Sequence, residues 1–156
     1  MKAILACDDS WGIGRNGSLP WPKFSDDLRF FKQTTHGKIV VMGRGTWDSH
    51  DMPSPLPGRR NIVITNRKID GVESYTLDDF KERILPNLPE EDMFLIGGAG
   101  LLGSLIDDID GIYLSRIKGK YKCDTFLPKE LIESKFTLKW ANATFSGFHV
   151  QYWGKI

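Results

Sequence analysis

The sequence is short of cysteine, of histidine and of net charge, and each shortage argues against a class of protein. Its two cysteines, Cys7 and Cys123, lie far apart with no CxxC spacing and no histidine cluster, so neither a disulfide framework nor a zinc site is predicted. The formal net charge is +1 and no basic block occurs, which gives no support to a nucleic-acid or membrane-surface partner. We therefore expect two neutral thiols, no metal, and a reducing, cytoplasmic location.

The sequence also lacks long apolar runs, internal repeats and low-complexity segments. Its first ten residues contain one apolar run, which is too short for a signal peptide or a membrane span. The 156 residues are 40% hydrophobic and 26% charged, and both values are ordinary for a globular protein. This length suits a single domain over residues 1–156 with a sizeable core, which we expect to be a monomer.

Seven segments have the pattern of strands. Four are short, apolar and rich in β-branched residues, as strands buried on both faces are: 2–7, 38–42, 61–65 and 93–96. Three alternate apolar and polar residues: 111–117, 136–141 and 148–154. Helical spacing occurs over 25–35, 77–85 and 98–106. The order predicts an α/β fold with a mixed, mostly parallel central sheet, flanking helices and an antiparallel C-terminal strand that follows a turn-rich connection over 142–147.

The predicted helix over 25–35 carries an acid within its apolar side. Ser25 is a candidate N-cap. At 3.6 residues per turn, one stripe is formed by Phe24, Asp27, Leu28 and Phe31. Asp26 lies on another side, with Arg29 and Phe30, and can reach water. A partly desolvated carboxylate is typical of a cleft, which favours Asp27 as a site residue. The alternative is an acid that only complements the helix dipole.

Glycine-rich segments occur at three places, and two of them suit phosphate binding. Residues 12–17, GIGRNG, match GxGxxG, but Pro20 and Pro22 forbid the helix that a dinucleotide fingerprint requires, so we interpret them as a flexible loop. Residues 43–46 and 97–100 each join a strand to a helical start, where free backbone N–H groups can bind a phosphate.

Two further polar groups follow or precede strands. Thr65, Asn66 and Arg67 suit one more phosphate, although Arg67 could equally be a solvated surface arginine. Arg59 and Arg60 end a proline-framed loop and are predicted to point to opposite faces. One of them could bind a carboxylate through two hydrogen bonds, whereas spacing alone favours a solvated pair.

Taken in chain order, these pieces resemble the dihydrofolate reductase family over nearly the whole sequence. The motifs that carry the resemblance are LPW (19–21), Asp27 before Leu28 and Phe31, MGRGTW (42–47), PLPGRRN (55–61), IGG (96–98) and DTFLP (124–128). The resemblance implies NADPH-dependent reduction of 7,8-dihydrofolate to tetrahydrofolate, with hydride transfer from nicotinamide C4 to pterin C6 and protonation of N5. Such an enzyme supplies one-carbon metabolism and thymidylate synthesis.

The resemblance also implies a substrate site. Asp27 would bind the pterin's amino group and ring N–H and favour protonation of N5, and Trp21 would be a second catalytic residue at the end of a lid loop, residues 9–22. Arg59 would bind the α-carboxylate of the glutamate of folate. The other substrate contacts that it implies are Ile4, Ala6, Leu28, Phe31, Leu56, Ile96 and Ser115.

The implied NADPH site has three parts. The pyrophosphate would be held by Arg44, Gly45 and Thr46, and the 2′-phosphate by Thr65, Asn66 and Arg67. Gly97 and Gly98 would form the family's cis peptide bond. The other cofactor contacts implied are Ala6, Ile13, Leu19, Gly43, Ala99, Gly100, Leu101 and Leu102.

The sequence departs from the family pattern at two of these places. Leu102 stands where the family usually has a tyrosine beside the nicotinamide. The segment between Trp21 and Asp27 has one residue more than common bacterial members, so Asp26 competes for the role of the acid.

Two rival functions stay open at this point. A related reductase could act on another pteridine or on a ribosylated pyrimidine, but Arg59 would then have no glutamate to bind. A non-catalytic NADPH-binding or scaffold protein could share the fold, since fold alone does not fix function. The presence of Asp27 argues against that second reading.

Overall fold

An eight-stranded sheet, parallel except at its C-terminal strands, forms the centre of this computed structural model, which describes residues 1–22, 25–49, 51–142 and 147–156. Its strand order is β5-β4-β3-β6-β1-β7-β10-β9, and β2 and β8 pair separately. The strands are β1 (Lys2–Cys7), β2 (Gly12–Gly14), β3 (Ile39–Gly43), β4 (Arg60–Ile64), β5 (Glu73–Tyr75), β6 (Met93–Gly97), β7 (Gly111–Ile117), β8 (Thr125–Phe126), β9 (Phe136–Ala141) and β10 (Phe148–Lys155).

The helices are short and lie between these strands. They are α1 (Ser25–Thr35), α2 (Arg44–Trp47), α3 (Leu77–Asp79), α4 (Ala99–Ser104) and α5 (Lys129–Lys135). A π-helical turn over Phe80–Ile84 continues α3, and 3₁₀ turns cover Leu85–Asn87, Glu90–Asp92 and Ile106–Asp108. None of the described helices is both long and apolar enough to cross a membrane.

The central strands are apolar throughout because the sheet is covered on both faces. In β3, Ile39 and Val41 join the core on one face of the sheet, whereas Val40 and Met42 join the core on the other. Alternate side chains of a strand point to opposite faces, so a strand covered on both faces must be apolar throughout. At the C-terminal end, β10 pairs antiparallel with both β7 and β9.

The predicted α/β fold class with a mixed sheet is confirmed, as are all seven predicted strands to within one residue at each end. The connection predicted over 142–147 lies mostly outside the described residues, as do Phe24 and the side chain of Ser25. Three short strands and α5 were not predicted, because two- or three-residue strands carry too little periodicity. The helix predicted over 98–106 ends earlier, at Ser104.

Leu102 lies in the core of the protein. Its side chain is 0% exposed and belongs to the main core cluster, and the contact with a nicotinamide that the resemblance implies stays a prediction. Its neighbour Leu101 is half-buried and faces the cavity described below. α4 follows β6 directly and packs on the sheet with Leu102 facing the core. The sequence of a six-residue helix does not reveal which side faces inward.

Leu102→Tyr is therefore expected to lower the free energy of unfolding by about 1–3 kcal/mol, because a larger side chain must be forced into a filled core. Leu102→Met, which nearly conserves volume, is the matched control and should cost less than about 1.5 kcal/mol. Urea denaturation of both variants measures the difference. Wild-type stability in Leu102→Tyr would contradict this placement of the side chain.

Candidate active site

A cavity of about 560 Å³ lies between α1, the ends of β1, β3 and β6, and the lid loop, residues 9–22. This volume is in the range of small-molecule sites. Most of its lining is apolar or backbone. The residues predicted for the site that line it are Ile4, Ala6, Ile13, Leu19, Asp27, Leu28, Phe31, Gly43, Gly45, Thr46, Ile96, Gly97, Gly98, Ala99, Gly100, Leu101 and Ser115.

Asp27 brings a carboxylate into this cavity from the first turn of α1. Burial raises its pKa above the usual value of 3.8, and a hydrogen bond with the Ser115 hydroxyl of β7 opposes that rise. Asp26 is exposed instead, with its carboxylate 3.7 Å from the Arg29 guanidinium. The helical spacing thus separated the two aspartates in the way the structure shows. The arrangement gives the cavity a partly desolvated hydrogen-bond acceptor.

The two strand-to-helix junctions meet at the opposite side of the cavity. The Gly97–Gly98 peptide bond is cis, and Gly98 is the N-cap residue of α4, which therefore starts with no side-chain cap. A Cβ added at Gly97 would lie 2.9 Å from Thr46 Oγ1, and Gly97 has a φ of +140°, which L-residues rarely adopt. Gly43 lies against the same peptide, with the Gly97 oxygen 3.9 Å from its added Cβ. The two junctions therefore pack closely against each other, and both contribute residues to the cavity lining.

Arg59 and Arg60 point to opposite faces, as predicted. Arg60 donates two hydrogen bonds to the Glu73 carboxylate, at 2.7 and 2.9 Å. Arg59 donates to the Pro57 carbonyl at 2.9 Å and to Thr35 Oγ1 at 3.2 Å. No carboxylate of the described chain lies within 4 Å of Arg59. Arg59 is the arginine of the pair that can accept an anionic ligand.

The guanidinium of Arg59 is also fixed near the cavity. Its central carbon lies 5.9 Å from the centre of the Phe31 ring, and Phe31 lines the cavity. Partial burial lowers the pKa of Arg59, which still leaves it charged at neutral pH. A positive group thus lies beyond the α1 wall, on the outer side of Phe31.

Seven other predicted site residues lie outside the cavity lining, in addition to Leu102. Trp21 is buried against Ile117, Phe148 and Val150, and Leu56 is buried in the core beside β3. Arg44 is exposed and pairs with Asp48 at 3.0 Å. The remaining residues are Arg59, described above, and the trio that follows β4, Thr65, Asn66 and Arg67, of which the last two are exposed.

Several lining residues were not among those predicted. They are Leu5, Gly14, Gly17, Ser18, Phe30, Ser49, Asp51, Met52 and Thr125. Phe30 was expected on the wet side of α1, but it is half-buried against Tyr113 and lines the cavity. Ser49, Asp51 and Met52 come from the loop after α2. No periodicity governs a loop, so its return toward the cavity could not be predicted from sequence.

Comparison with known proteins agrees with this geometry. The sequence profile described as "Dihydrofolate reductase" matches residues 1–148. The chain belongs to the dihydrofolate reductase family. It is 35% identical over 133 residues to the dihydrofolate reductase of Staphylococcus aureus strain Mu50, which covers 85% of this chain and 80% of that protein.

Longer dihydrofolate reductase relatives also match. The chain is 34% identical over 134 residues to the bifunctional dihydrofolate reductase-thymidylate synthase of Paramecium tetraurelia, covering 84% of the chain and 29% of that protein. It is also 34% identical over 148 residues to the bifunctional dihydrofolate reductase-thymidylate synthase of Glycine max, covering 81% of the chain and 28% of that protein. Membership of the dihydrofolate reductase family supports an oxidoreductase that acts on a small molecule.

Asp27→Asn is expected to change stability in a pH-dependent way. Because burial raises the pKa of Asp27 in the folded state, the protein loses stability as pH rises from below 3.8 through that raised pKa. Asparagine has no such loss. The gain in unfolding free energy of Asp27→Asn over wild type should therefore be larger at pH 7 than at pH 4. Urea denaturation at both pH values measures it, with Asp26→Asn as the exposed control, and an equal gain at both would contradict the prediction.

Proposed function

We propose that this chain catalyses the NADPH-dependent reduction of 7,8-dihydrofolate to 5,6,7,8-tetrahydrofolate. The observation that carries the proposal is the carboxylate of Asp27, half-buried in an apolar cavity and hydrogen-bonded to Ser115. A pterin ring is flat and apolar on its faces and has N–H donors on one edge. Such a ring matches a cavity that has apolar walls and one charged acceptor.

Asp27 has two tasks in this proposal. Its carboxylate accepts hydrogen bonds from the amino group and ring N–H of the pterin, which orients the ring in the cavity. The same negative charge favours protonation at N5, through water. Ser115 holds the carboxylate in place through its hydroxyl. Its half-burial strengthens both effects, because charge interactions are stronger where water is excluded.

The glycine junctions fit NADPH. Both junctions line the cavity, and α4 starts there with no side-chain cap, so a polar ligand in the cavity would lie beside their backbone groups. Gly43, Gly45 and Thr46 would hold the cofactor with Gly97–Leu101, Arg44 would add charge at the pyrophosphate, and Thr65, Asn66 and Arg67 would bind the 2′-phosphate. When bound, NADPH supplies the hydride that reaches pterin C6. The protein's part is to orient both molecules and exclude water.

Arg59 supports folate over a pteridine that lacks a glutamate tail. It is charged, has no carboxylate partner among the described residues, and lies behind Phe31 at the edge of the cavity. An α-carboxylate would give it the charge-assisted partner that Glu73 gives Arg60. Trp21, proposed as the second catalytic residue, is buried at the end of the lid loop against Ile117, Phe148 and Val150.

The proposal extends to the setting of the reaction. We propose one domain that acts as a monomer in the cytoplasm and supplies tetrahydrofolate for one-carbon metabolism and thymidylate synthesis. Burial raises the pKa of the Cys7 thiol to about 12, and burial with a hydrogen bond to Asp8 raises that of Cys123 to about 11. Both thiols stay protonated at neutral pH, which suits a reducing compartment.

The decisive experiment is an absorbance assay of NADPH oxidation with 7,8-dihydrofolate. Wild type should turn over, and Asp27→Asn should lose about 10²–10⁴-fold in hydride-transfer rate at pH 7, the usual worth of acid–base assistance. The loss should shrink at pH 5, where the solvent supplies protons more readily. Asp26→Asn is the matched control on the same turn. No turnover by wild type refutes the function, and a larger loss in Asp26→Asn refutes the assignment of Asp27.

Arg59→Leu should raise the KM for dihydrofolate at least about tenfold, because hydrogen bonds to a charged group contribute about 1.5–3 kcal/mol. The KM for NADPH should not change. Arg60→Leu is the matched control, since its guanidinium is paired with Glu73 on the other face. Steady-state kinetics with each substrate varied in turn measure both constants. If Arg60→Leu raises the KM for dihydrofolate and Arg59→Leu does not, then Arg60 binds the glutamate tail and the proposed role of Arg59 is wrong.

A further inference from the structure

The first half of the lid loop is held by many contacts that lie away from the cavity mouth. Asp8 Oδ1, just before the loop, accepts the Ser10 and Gly12 amides at 2.8 and 2.9 Å. β2 pairs with β8, and the Asn16 amide donates to Asp124 Oδ2 at 2.9 Å. This half of the loop therefore has the support of a small sheet and of two carboxylates.

A tight turn follows at the tip of the loop. Asn16 and Gly17 both have positive φ, of 52° and 76°, and Arg15 and Ser18 exchange backbone hydrogen bonds at 3.0 and 3.1 Å. Asn-Gly with two positive φ angles is the favoured two-residue hairpin turn. The turn sends residues 18–22 back toward α1 over the cavity, where Ser18 and Leu19 line the wall.

Residues 18–22, here called the return arm, are held at their far end by Trp21, which is buried against Ile117, Phe148 and Val150. Nearer the tip of the loop, the arm is held through the backbone of Leu19. Pro20 and Pro22 have no N–H to donate. The Leu19 amide donates to Asp51 Oδ2 at 2.5 Å, and Asp51 belongs to the loop after α2 on the other wall. Asp51 is itself positioned by its own amide, which donates to Ser49 Oγ at 3.4 Å. Leu19 and Asp51 both line the cavity, so this hydrogen bond joins two of its walls.

We propose that Asp51 is a positioning residue that holds the return arm across the mouth of the cavity and slows the release of the molecule bound there. A carboxylate is a stronger acceptor of an amide hydrogen bond than a neutral group. Asp51 acts through the backbone of Leu19 and takes no part in the chemistry. The identity of the bound molecule as dihydrofolate rests on the proposed function, but the hydrogen bond does not.

The first test is hydrogen–deuterium exchange of the Leu19 amide in the protein without ligand. Asp51→Ala should speed that exchange about tenfold, the factor that corresponds to about 1.4 kcal/mol. Asp51→Asn, which keeps an oxygen acceptor but loses the charge, should give a smaller increase. Asp70→Ala, an exposed aspartate in the turn before β5, is the matched control and should have no effect. Amides of β2 should exchange as in wild type in every variant.

The second test measures release of bound 7,8-dihydrofolate by stopped-flow quenching of tryptophan fluorescence. Asp51→Ala should raise the dissociation rate about tenfold and change the association rate less than about twofold, since interface changes act mainly on dissociation. Asp51→Asn should fall between Asp51→Ala and wild type.

The proposal is overturned if the Leu19 amide of Asp51→Ala exchanges as in wild type, or if it exchanges faster while release is unchanged. Thermal denaturation shows whether each variant is folded. The β2 amides, which should exchange as in wild type, show whether the rest of the loop is unchanged. Neither measurement requires turnover. A wild-type chain that binds dihydrofolate without oxidising NADPH would refute the proposed function, while the release rates would still decide the role of Asp51.

Discussion

The carboxylate of Asp8 is the interaction on which the cavity depends most. It is 1% exposed and follows β1 directly. Oδ1 accepts the Ser10 and Gly12 amides, and Oδ2 accepts the Tyr121 amide at 3.0 Å and the Cys123 thiol at 3.4 Å. Burial pushes its pKa upward, but these hydrogen bonds outweigh burial and lower it overall. The carboxylate thus joins the lid loop to the segment before β8. The part of the lid loop that lines the cavity is positioned by this connection.

Charge is distributed around the cavity by the secondary structure. Asp27 comes from α1, Asp51 from the loop after α2, and Arg59 from the loop before β4. The two acids line the cavity, whereas Arg59 lies behind Phe31. A long ligand with a neutral ring at one end and a carboxylate at the other therefore fits in one direction. In the proposed function, a short ligand would leave Arg59 without a carboxylate partner, and the site would select for a ligand with an acidic tail.

Periodicity predicted the parts of the site that belong to regular elements. The 3.6-residue repeat of α1 separated Asp27 from Asp26, and alternation along the chain separated Arg59 from Arg60. It did not show that Leu102 lies in the core, because a six-residue helix does not reveal which of its sides faces the sheet. It also missed Asp51, whose position depends on the course of a loop. The orientation of Leu102 and the position of Asp51 could not be predicted, because both depend on packing between segments that are distant in sequence.

The hydrogen bond between Leu19 and Asp51 joins a side chain to a backbone amide, and this has a consequence for how such proteins change over evolution. Any residue but proline at position 19 can donate it. Position 19 is thus free to vary while position 51 keeps its acceptor, and no correlated substitution is needed to preserve the contact. A comparison of many related sequences that searches for paired changes would pass over it. Constraint should be visible at position 51 alone, as retention of a short acidic or amide side chain.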